Sequence, residues 1–230
     1  MISDTIDPSR WPGLKPAIIA HDVGGSRDRS TAVVGGYCAY VPGVLGIKEF
    51  IELPQGLYGS DRANALAGVD RRYYHEALIA ADLSNDKSYA EPLVQAFGVR
   101  VIGFHISRHG DGSTCVQHRV GNRSILIYTV GRSYLLENFH NKLEAGQIRF
   151  AAGPDSKRAY AQLERLETEV KETGVVYKCP PGQHDDLGMS CAMLAFAADH
   201  PHLNGWVDNM LRARRLPRQR RPSVSPLAWS

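Results

Sequence analysis

Two short apolar segments that each end in an aspartate constrain the fold of this 230-residue chain more than any other feature of its sequence. They are AIIAHD (Ala17–Asp22) and ALIAAD (Ala77–Asp82). Each is too short for a typical helix, and a Gly-Gly turn follows the first, so both are predicted to be buried strands. Neighbouring strands of one sheet would bring Asp22 and Asp82 to the same edge, several ångströms apart.

The remaining segments predict a mixed sheet covered by helices. Thr31–Tyr40 and Ile47–Leu53 are β-type runs that would form an antiparallel meander with the first strand. Helices and strands then alternate, which favours parallel pairing. The predicted helices are Ser60–His75, Lys87–Phe97, Gly131–Ala145, Ser156–Glu172 and roughly Asp185–Asp199, the predicted strands are Val99–Phe104 and Val175–Cys179, and residues 105–124 form an excursion at the edge of the fold. This order is the one expected of an α/β fold of the ribonuclease H-like class, with helices flanking the sheet.

The composition argues against membrane, secreted and disulfide-rich proteins. With 43% hydrophobic and 22% charged residues, the chain resembles an ordinary soluble globular protein. Its longest apolar stretch, Met189–Ala198, is far shorter than the roughly 20 residues of a membrane-spanning helix. Met1–Arg10 carries two aspartates and lacks the apolar region of a signal peptide. The four cysteines are scattered, without the C-x-x-C pairs of a zinc site. We therefore expect a soluble protein of the cytoplasm.

The net charge of +3 comes from the C-terminal segment. Residues 205–230 contain six arginines and a single acid, so the rest of the chain is slightly acidic. We expect three regions: a leader or linker over 1–16, a folded domain over 17–204, and a flexible Arg- and Pro-rich tail over 205–230. The tail could attract DNA phosphates, dock on a partner, or act only as a solubilising end.

A third acidic position opens the last predicted helix. Asp185 and Asp186 follow a Pro-Pro-Gly segment. Carboxylates gathered without basic partners repel one another unless a cation neutralises them, and their hard oxygens favour Mg²⁺ or Mn²⁺ over zinc. Two such ions would suit phosphodiester hydrolysis. The structural alternative is that the aspartates at strand ends form turns and that one of this pair is an N-cap.

Several segments resemble the nuclease domain of phage large terminase subunits. HDDLGMSCAMLAFA (His184–Ala197) is similar to the H-D-D-L-x-x-S/A-x-A motif near the end of that domain. AHDVGGSRDRSTAVVGG (Ala20–Gly36) resembles its first strand and turn, and ADLSNDKSYAEPLVQAF (Ala81–Phe97) its second acidic strand and the helix after it. Tyr134–Arg149 resembles the family's helix leading to a short strand. The similarity extends from about residue 17 to 200, and the H-D-D segment is its most distinctive part.

The resemblance implies a ribonuclease H-like, divalent-metal-dependent DNA endonuclease that cuts concatemeric viral DNA during packaging, encoded by a phage or prophage and acting in the bacterial cytoplasm. Asp22 and Asp82 would be metal ligands, with Asp186 or Asp185 as the third, around a two-metal site for Mg²⁺ or Mn²⁺. His184 would position a ligand or water, or be structural. The implied partners are double-stranded DNA, the portal, the small terminase subunit and an ATPase. The ATPase signature G-x-x-x-x-G-K-[ST] is absent, so we expect that domain on a separate chain or removed from this one.

Other interpretations of the sequence remain open. The chain could be another ribonuclease H-like nuclease, such as a junction resolvase or transposase core, or a non-catalytic module that docks on DNA or a portal. His21, which should point away from Asp22, is predicted to pack in the core. Arg27 and Arg29 could contact phosphates, although a solvated hairpin is the favoured interpretation. A metal site at His105, His109 and His118 is disfavoured because no fourth ligand is evident.

Overall fold

An eight-stranded mixed sheet forms the centre of the protein. The computed structural model describes residues 17–24, 30–38, 43–73, 76–108, 110, 112–171, 174–180 and 185–199. The strands are β1 (Ile18–Asp22), β2 (Thr31–Tyr37), β3 (Leu45–Glu52), β4 (Leu78–Asp82), β5 (Val101–Ser107), β6 (Ser113–Val120), β7 (Arg123–Gly131), β8 (Ile148–Phe150), β9 (Glu167–Lys171) and β10 (Gly174–Lys178). The α-helices are α1 (Gly59–Arg71), α2 (Ala90–Phe97), α3 (Arg132–Glu144), α4 (Pro154–Glu164) and α5 (Asp186–Asp199).

The strand pairing confirms the predicted mixture of antiparallel and parallel strands. The order across the sheet is β6-β7-β5-β4-β1-β2-β3-β8, and β9 pairs with β10 in a separate ribbon. β1, β2 and β3 form the antiparallel meander, whereas β4 lies parallel to β1, and β5 parallel to β4. β1 is therefore central, with the meander on one side and the parallel strands on the other.

Helices cover both faces of the sheet. On one face, side chains from β1, β4 and the helices α1 and α2 share an apolar core that includes Ile19, Ile79, Leu66 and Leu93. On the other face, α5 packs against β1 and β2. Nearly every residue of α5 is buried, as its apolar sequence predicts, and each large side chain contributes roughly 1.5–3 kcal/mol of burial free energy.

Two predicted segments differ from the structure. The helix predicted over Ser156–Glu172 ends at Glu164, and Glu167–Lys171 is strand β9. Charged residues gave this segment a helical composition, but Thr168 and Val170 are β-branched at strand spacing, and β9 pairs with β10. Residues 105–124 do lie at the outer side of the sheet, yet they contain all of β6, the outermost strand there, rather than irregular chain. β6 is exposed over nearly its whole length, so its sequence carries no apolar alternation.

Several sequence interpretations fall on residues outside the described ranges. They are the leader over 1–16, the phosphate contacts of Arg27 and Arg29, the histidines His109 and His184, and the tail over 205–230. Among the helices that are described, none has the length and apolar character needed to cross a membrane.

Candidate active site

Asp22 and Asp82 end neighbouring parallel strands. Asp22 is the last residue of β1 and Asp82 the last of β4, and the residues just before them, His21 and Ala81, are paired across the two strands. In-register neighbours in a sheet project to the same face and lie ~4.8 Å apart along the hydrogen-bonding direction. The predicted juxtaposition of these two carboxylates at one edge of the sheet is therefore present.

The face that these carboxylates share is the one covered by α5. Thr31 is paired with Asp22 across β1 and β2, and its hydroxyl lies 3.1 Å from the hydroxyl of Ser190 in α5. Ser190 is one helical turn beyond Asp186, the first residue of α5. The Thr31–Ser190 contact thus holds the start of α5 against the sheet edge that carries Asp22.

Asp82 is buried, with 7% of its surface exposed. Its carboxylate accepts hydrogen bonds from the backbone N–H of Ser84 (2.8 Å) and from the Ser84 hydroxyl (2.5 Å). Burial raises the pKa of Asp82, and the two Ser84 hydrogen bonds and the charge of His105 oppose that rise. A carboxylate in this position gains from a nearby cation, because the cation offsets the desolvation of its negative charge.

Asp185 and Asp186 stand at the start of α5, but the capping of this helix is shared with another residue. The backbone carbonyl of Asp185 accepts the first helical hydrogen bond, from Met189 N at 2.8 Å, which places Asp185 at the N-cap position. The side-chain oxygen of Gln162 in α4 accepts hydrogen bonds from the next amides, Leu187 N (3.2 Å) and Gly188 N (3.4 Å). The carboxylate of Asp185 instead forms an ion pair with Arg132.

Arg132 is a member of this site that the sequence did not reveal. It is the first residue of α3, directly after Gly131 at the carboxyl end of β7. Its side chain is 26% exposed and that of its partner Asp185 only 12%. Burial lowers the pKa of Arg132, and the negative charges of Asp22 and Asp186 oppose that effect. The guanidinium therefore lies within electrostatic reach of the acids from both β1 and α5.

One feature of the sequence could have pointed to Arg132. A cation in the first turn of a helix opposes the helix dipole, which favours negative charge there. Such a residue needs acidic neighbours, and no acid lies within four positions of it in the sequence. Its partner Asp185 is 53 positions away, so the pairing follows from the tertiary fold.

The donor set suits a hard divalent cation, although the side chains do not form a complete coordination sphere. Carboxylate oxygens, such as those of Asp22, Asp82 and Asp186, are the donor type that Mg²⁺ and Mn²⁺ prefer. Within the described ranges, no three His, Cys, Asp or Glu side chains are grouped closely enough to be recognised as a metal site. The structure brings Asp22 and Asp82 to adjacent strand ends and links Asp185, through Arg132, to the same edge.

The histidines near this edge have different surroundings. His21 is fully buried, its Nδ1–H donates a hydrogen bond to the carbonyl of Thr31 at 3.0 Å, and its ring meets the Tyr89 ring edge-on at 5.7 Å between centroids. Its predicted place in the core is confirmed. His105 lies on β5, the neighbour of β4 on the side away from β1. Burial and the charge of Lys87 lower the pKa of His105, while Asp82 raises it.

Solved structures share the fold of this chain. No protein-family model and no curated protein matches the sequence. The large terminase nuclease from thermophilic phage G20c is 20% identical, with a TM-score of 0.52 over 79% of this chain and 81% of that chain. The large terminase nuclease domain of Thermus phage P74-26 is 17% identical, with a TM-score of 0.50 over 80% of each chain. The chain therefore has the ribonuclease H-like fold of phage large terminase nuclease domains, as its sequence predicted.

Proposed function

We propose that this protein is a divalent-metal-dependent DNA endonuclease of the large terminase type. The observation that carries the proposal is the position of Asp22 and Asp82 at the ends of neighbouring parallel strands, on the face where α5 begins with Asp186. Nuclease domains of the same fold come from phage terminases, which supports a role in packaging viral DNA. The substrate would be double-stranded DNA.

Some residues of this edge would bind the metal, and others would hold those ligands in place. Asp22, Asp82 and Asp186 would provide oxygen ligands for Mg²⁺ or Mn²⁺. Two such ions, when bound, supply an activated water and neutralise charge on the leaving oxygen. Ser84 orients the Asp82 carboxylate through its two hydrogen bonds, and the Thr31–Ser190 contact joins α5 to β2, next to Asp22. These contacts support a rigid ligand set, which metal catalysis requires.

Asp186 is the better third ligand of the acidic pair. Asp185 already forms an ion pair with Arg132, and that pair is largely buried. Separating a buried pair leaves an uncompensated charge, at a cost of roughly 3–5 kcal/mol. Asp186 is less buried than Asp185 and lies at the first position of α5, where its charge also acts on Arg132. We therefore assign ligation to Asp186 and the anchoring of Arg132 to Asp185.

One observation favours a second candidate function. Arg132 already provides positive charge among the acids, so a module that docks on DNA or a portal could keep this edge without binding metal. Such a module would bind DNA but not cut it. A terminase role would also imply a portal, a small terminase subunit, a separate ATPase and the cytoplasm of a bacterial host, and these partners are part of the proposal.

Plasmid cleavage in Mn²⁺ tests the proposed function. We expect wild type to nick and linearise the plasmid, and Asp22→Asn, Asp82→Asn and Asp186→Asn each to lose activity on the order of 100-fold, because each removes an anionic ligand that would hold the metal. Asp61→Asn, an exposed acid in the first turn of α1, is the matched control and should cut like wild type. Equal cleavage by wild type and all three site variants would refute the assignment, and DNA binding without cleavage would favour the docking module.

A further inference from the structure

The position of Arg132 is unfavourable unless nearby acids compensate its charge. We call the strand and helix ends that carry Asp22, Asp82, Asp185 and Asp186 the acidic edge. A cation in the first turn of α3 faces the positive end of the helix dipole. The side chain is also mostly buried, which adds a desolvation cost for the charged guanidinium. The carboxylate of Asp185 pairs with it directly. A partly buried ion pair must offset the desolvation of both charges, so this placement calls for further compensation.

That compensation comes from the other acids of the edge. Arg132 follows the carboxyl end of β7, and this is the end of the sheet at which β1 and β4 finish with Asp22 and Asp82. Asp185 ties the guanidinium to the start of α5, where Asp186 is the next residue. The negative charges of Asp22 and Asp186 both act on Arg132.

We propose that Arg132 is the resident counter-charge of the acidic edge, which holds the carboxylates together in the metal-free protein and opposes the binding of a divalent cation to them. Asp185 is the positioning residue that keeps the guanidinium in place. This inference rests on the proposed function, because the opposition concerns the metal that Asp22, Asp82 and Asp186 would bind. It goes further, because it gives Arg132, a positively charged side chain of the protein, a role among these metal ligands.

Coulomb's law gives the direction of the effect. A guanidinium held among metal ligands repels a divalent cation, and partial burial weakens the screening of that repulsion by solvent. Removing the positive charge while keeping the carboxylates should therefore tighten metal binding. Removing the charge of Asp185 should have the opposite effect, because Arg132 then acts on the remaining ligands without its own partner. The two halves of one ion pair are expected to change metal affinity in opposite directions.

Calorimetric titration of the full chain with MnCl₂ tests this expectation. We expect Arg132→Gln to bind Mn²⁺ roughly tenfold more tightly than wild type, Arg132→Lys to stay near wild type, and Asp185→Asn to bind more weakly. Arg72→Gln is the matched control, since it breaks an Arg–Glu ion pair with Glu49 elsewhere on the protein. Unchanged Mn²⁺ affinity in Arg132→Gln, or a shift of Arg132→Gln and Asp185→Asn in the same direction, would overturn the proposal.

Thermal unfolding of the metal-free protein gives a second, independent test. Arg132→Gln should lower Tm, and adding Asp22→Asn to it should raise Tm again, because the second change relieves repulsion among the acids. If Arg132 were only the structural partner of Asp185, the second substitution would not restore stability. A wild type that binds no Mn²⁺ and cuts no DNA would refute the proposed function, whereas the unfolding result would still decide the counter-charge role.

Discussion

The hydroxyl groups of Thr31 and Ser190 lie 3.1 Å apart, and both residues are buried between β2 and α5. Thr31 is paired with Asp22, and Ser190 is one turn after Asp186, so this contact connects α5, which bears Asp186, to β2, the strand paired with the one that bears Asp22. We therefore expect the distance between the carboxylates of Asp22 and Asp186 to depend on this pair of neutral hydroxyls.

We expect Thr31→Val and Ser190→Ala each to destabilise the protein by roughly 1–2 kcal/mol, because each leaves a buried hydroxyl without its partner. The double variant should be less destabilised than the two single changes added together, since it removes both polar groups. Urea unfolding of the four proteins measures this coupling. Strict additivity would show that the two hydroxyls do not interact.

Gln162 caps α5 in place of the Asp185 carboxylate. We expect Gln162→Ala to cost about 1 kcal/mol of stability, because it leaves the amides of Leu187 and Gly188 without their acceptor. The same substitution at Gln95, an exposed residue of α2, serves as the control. Chemical denaturation compares the two variants. Equal stability of both would show that Gln162 does not cap α5.

His21 makes stability depend on pH. Burial lowers the pKa of His21 from 6.5 to about 4, so the folded protein keeps this ring neutral while the unfolded chain takes up a proton below pH 6.5. Stability from this residue is complete above pH 6.5 and is lost as the pH falls to about 4, by roughly 3 kcal/mol in total.

The His21→Leu variant isolates this contribution. Its free energy of unfolding should fall less steeply than that of wild type between pH 6.5 and 4, whereas His118→Gln, at an exposed position of β6, should follow wild type. Unfolding curves at several pH values give the slopes. Parallel slopes for wild type and His21→Leu would contradict a neutral, buried ring.

Gly35 allows close packing of β2 on its neighbours. A Cβ atom at this position would lie 2.4 Å from the carbonyl oxygen of Gly46 and 2.9 Å from Leu194 of α5. We expect Gly35→Ala to destabilise the protein by roughly 1–3 kcal/mol, because the backbone or α5 must shift. Gly68→Ala, in α1 with no atom near its Cβ position, should instead stabilise by about 0.5–1 kcal/mol. Equal thermal stability of the two variants would contradict this packing.

The parts of the site that the sequence revealed are those encoded by local pattern. β1 and β4 were recognisable because short apolar runs end in aspartate, and α5 because an apolar segment follows Asp185-Asp186. Their meeting at one edge then follows from parallel pairing. The position of Asp22 relative to Asp82 was therefore predictable before any coordinates.

Arg132 was not predictable in the same way. Its location depends on β7, which the sequence analysis did not recognise, and its partner Asp185 is 53 positions further along the chain. The capping of α5 by Gln162 is equally non-local. The segment around Glu167–Lys171 has the composition of a helix, but pairing with β10 makes it a strand. Contacts between distant segments, rather than local periodicity, decided each of these features.

A crystal soaked in MnCl₂ tests the central claim most directly, through the anomalous signal of the metal. We expect Mn²⁺ density bounded by carboxylate oxygens of Asp22, Asp82 and Asp186, with Asp185 still on Arg132. Density at an unrelated surface, or carboxylates too far apart to share an ion, would contradict a metal-dependent nuclease at this edge of the sheet.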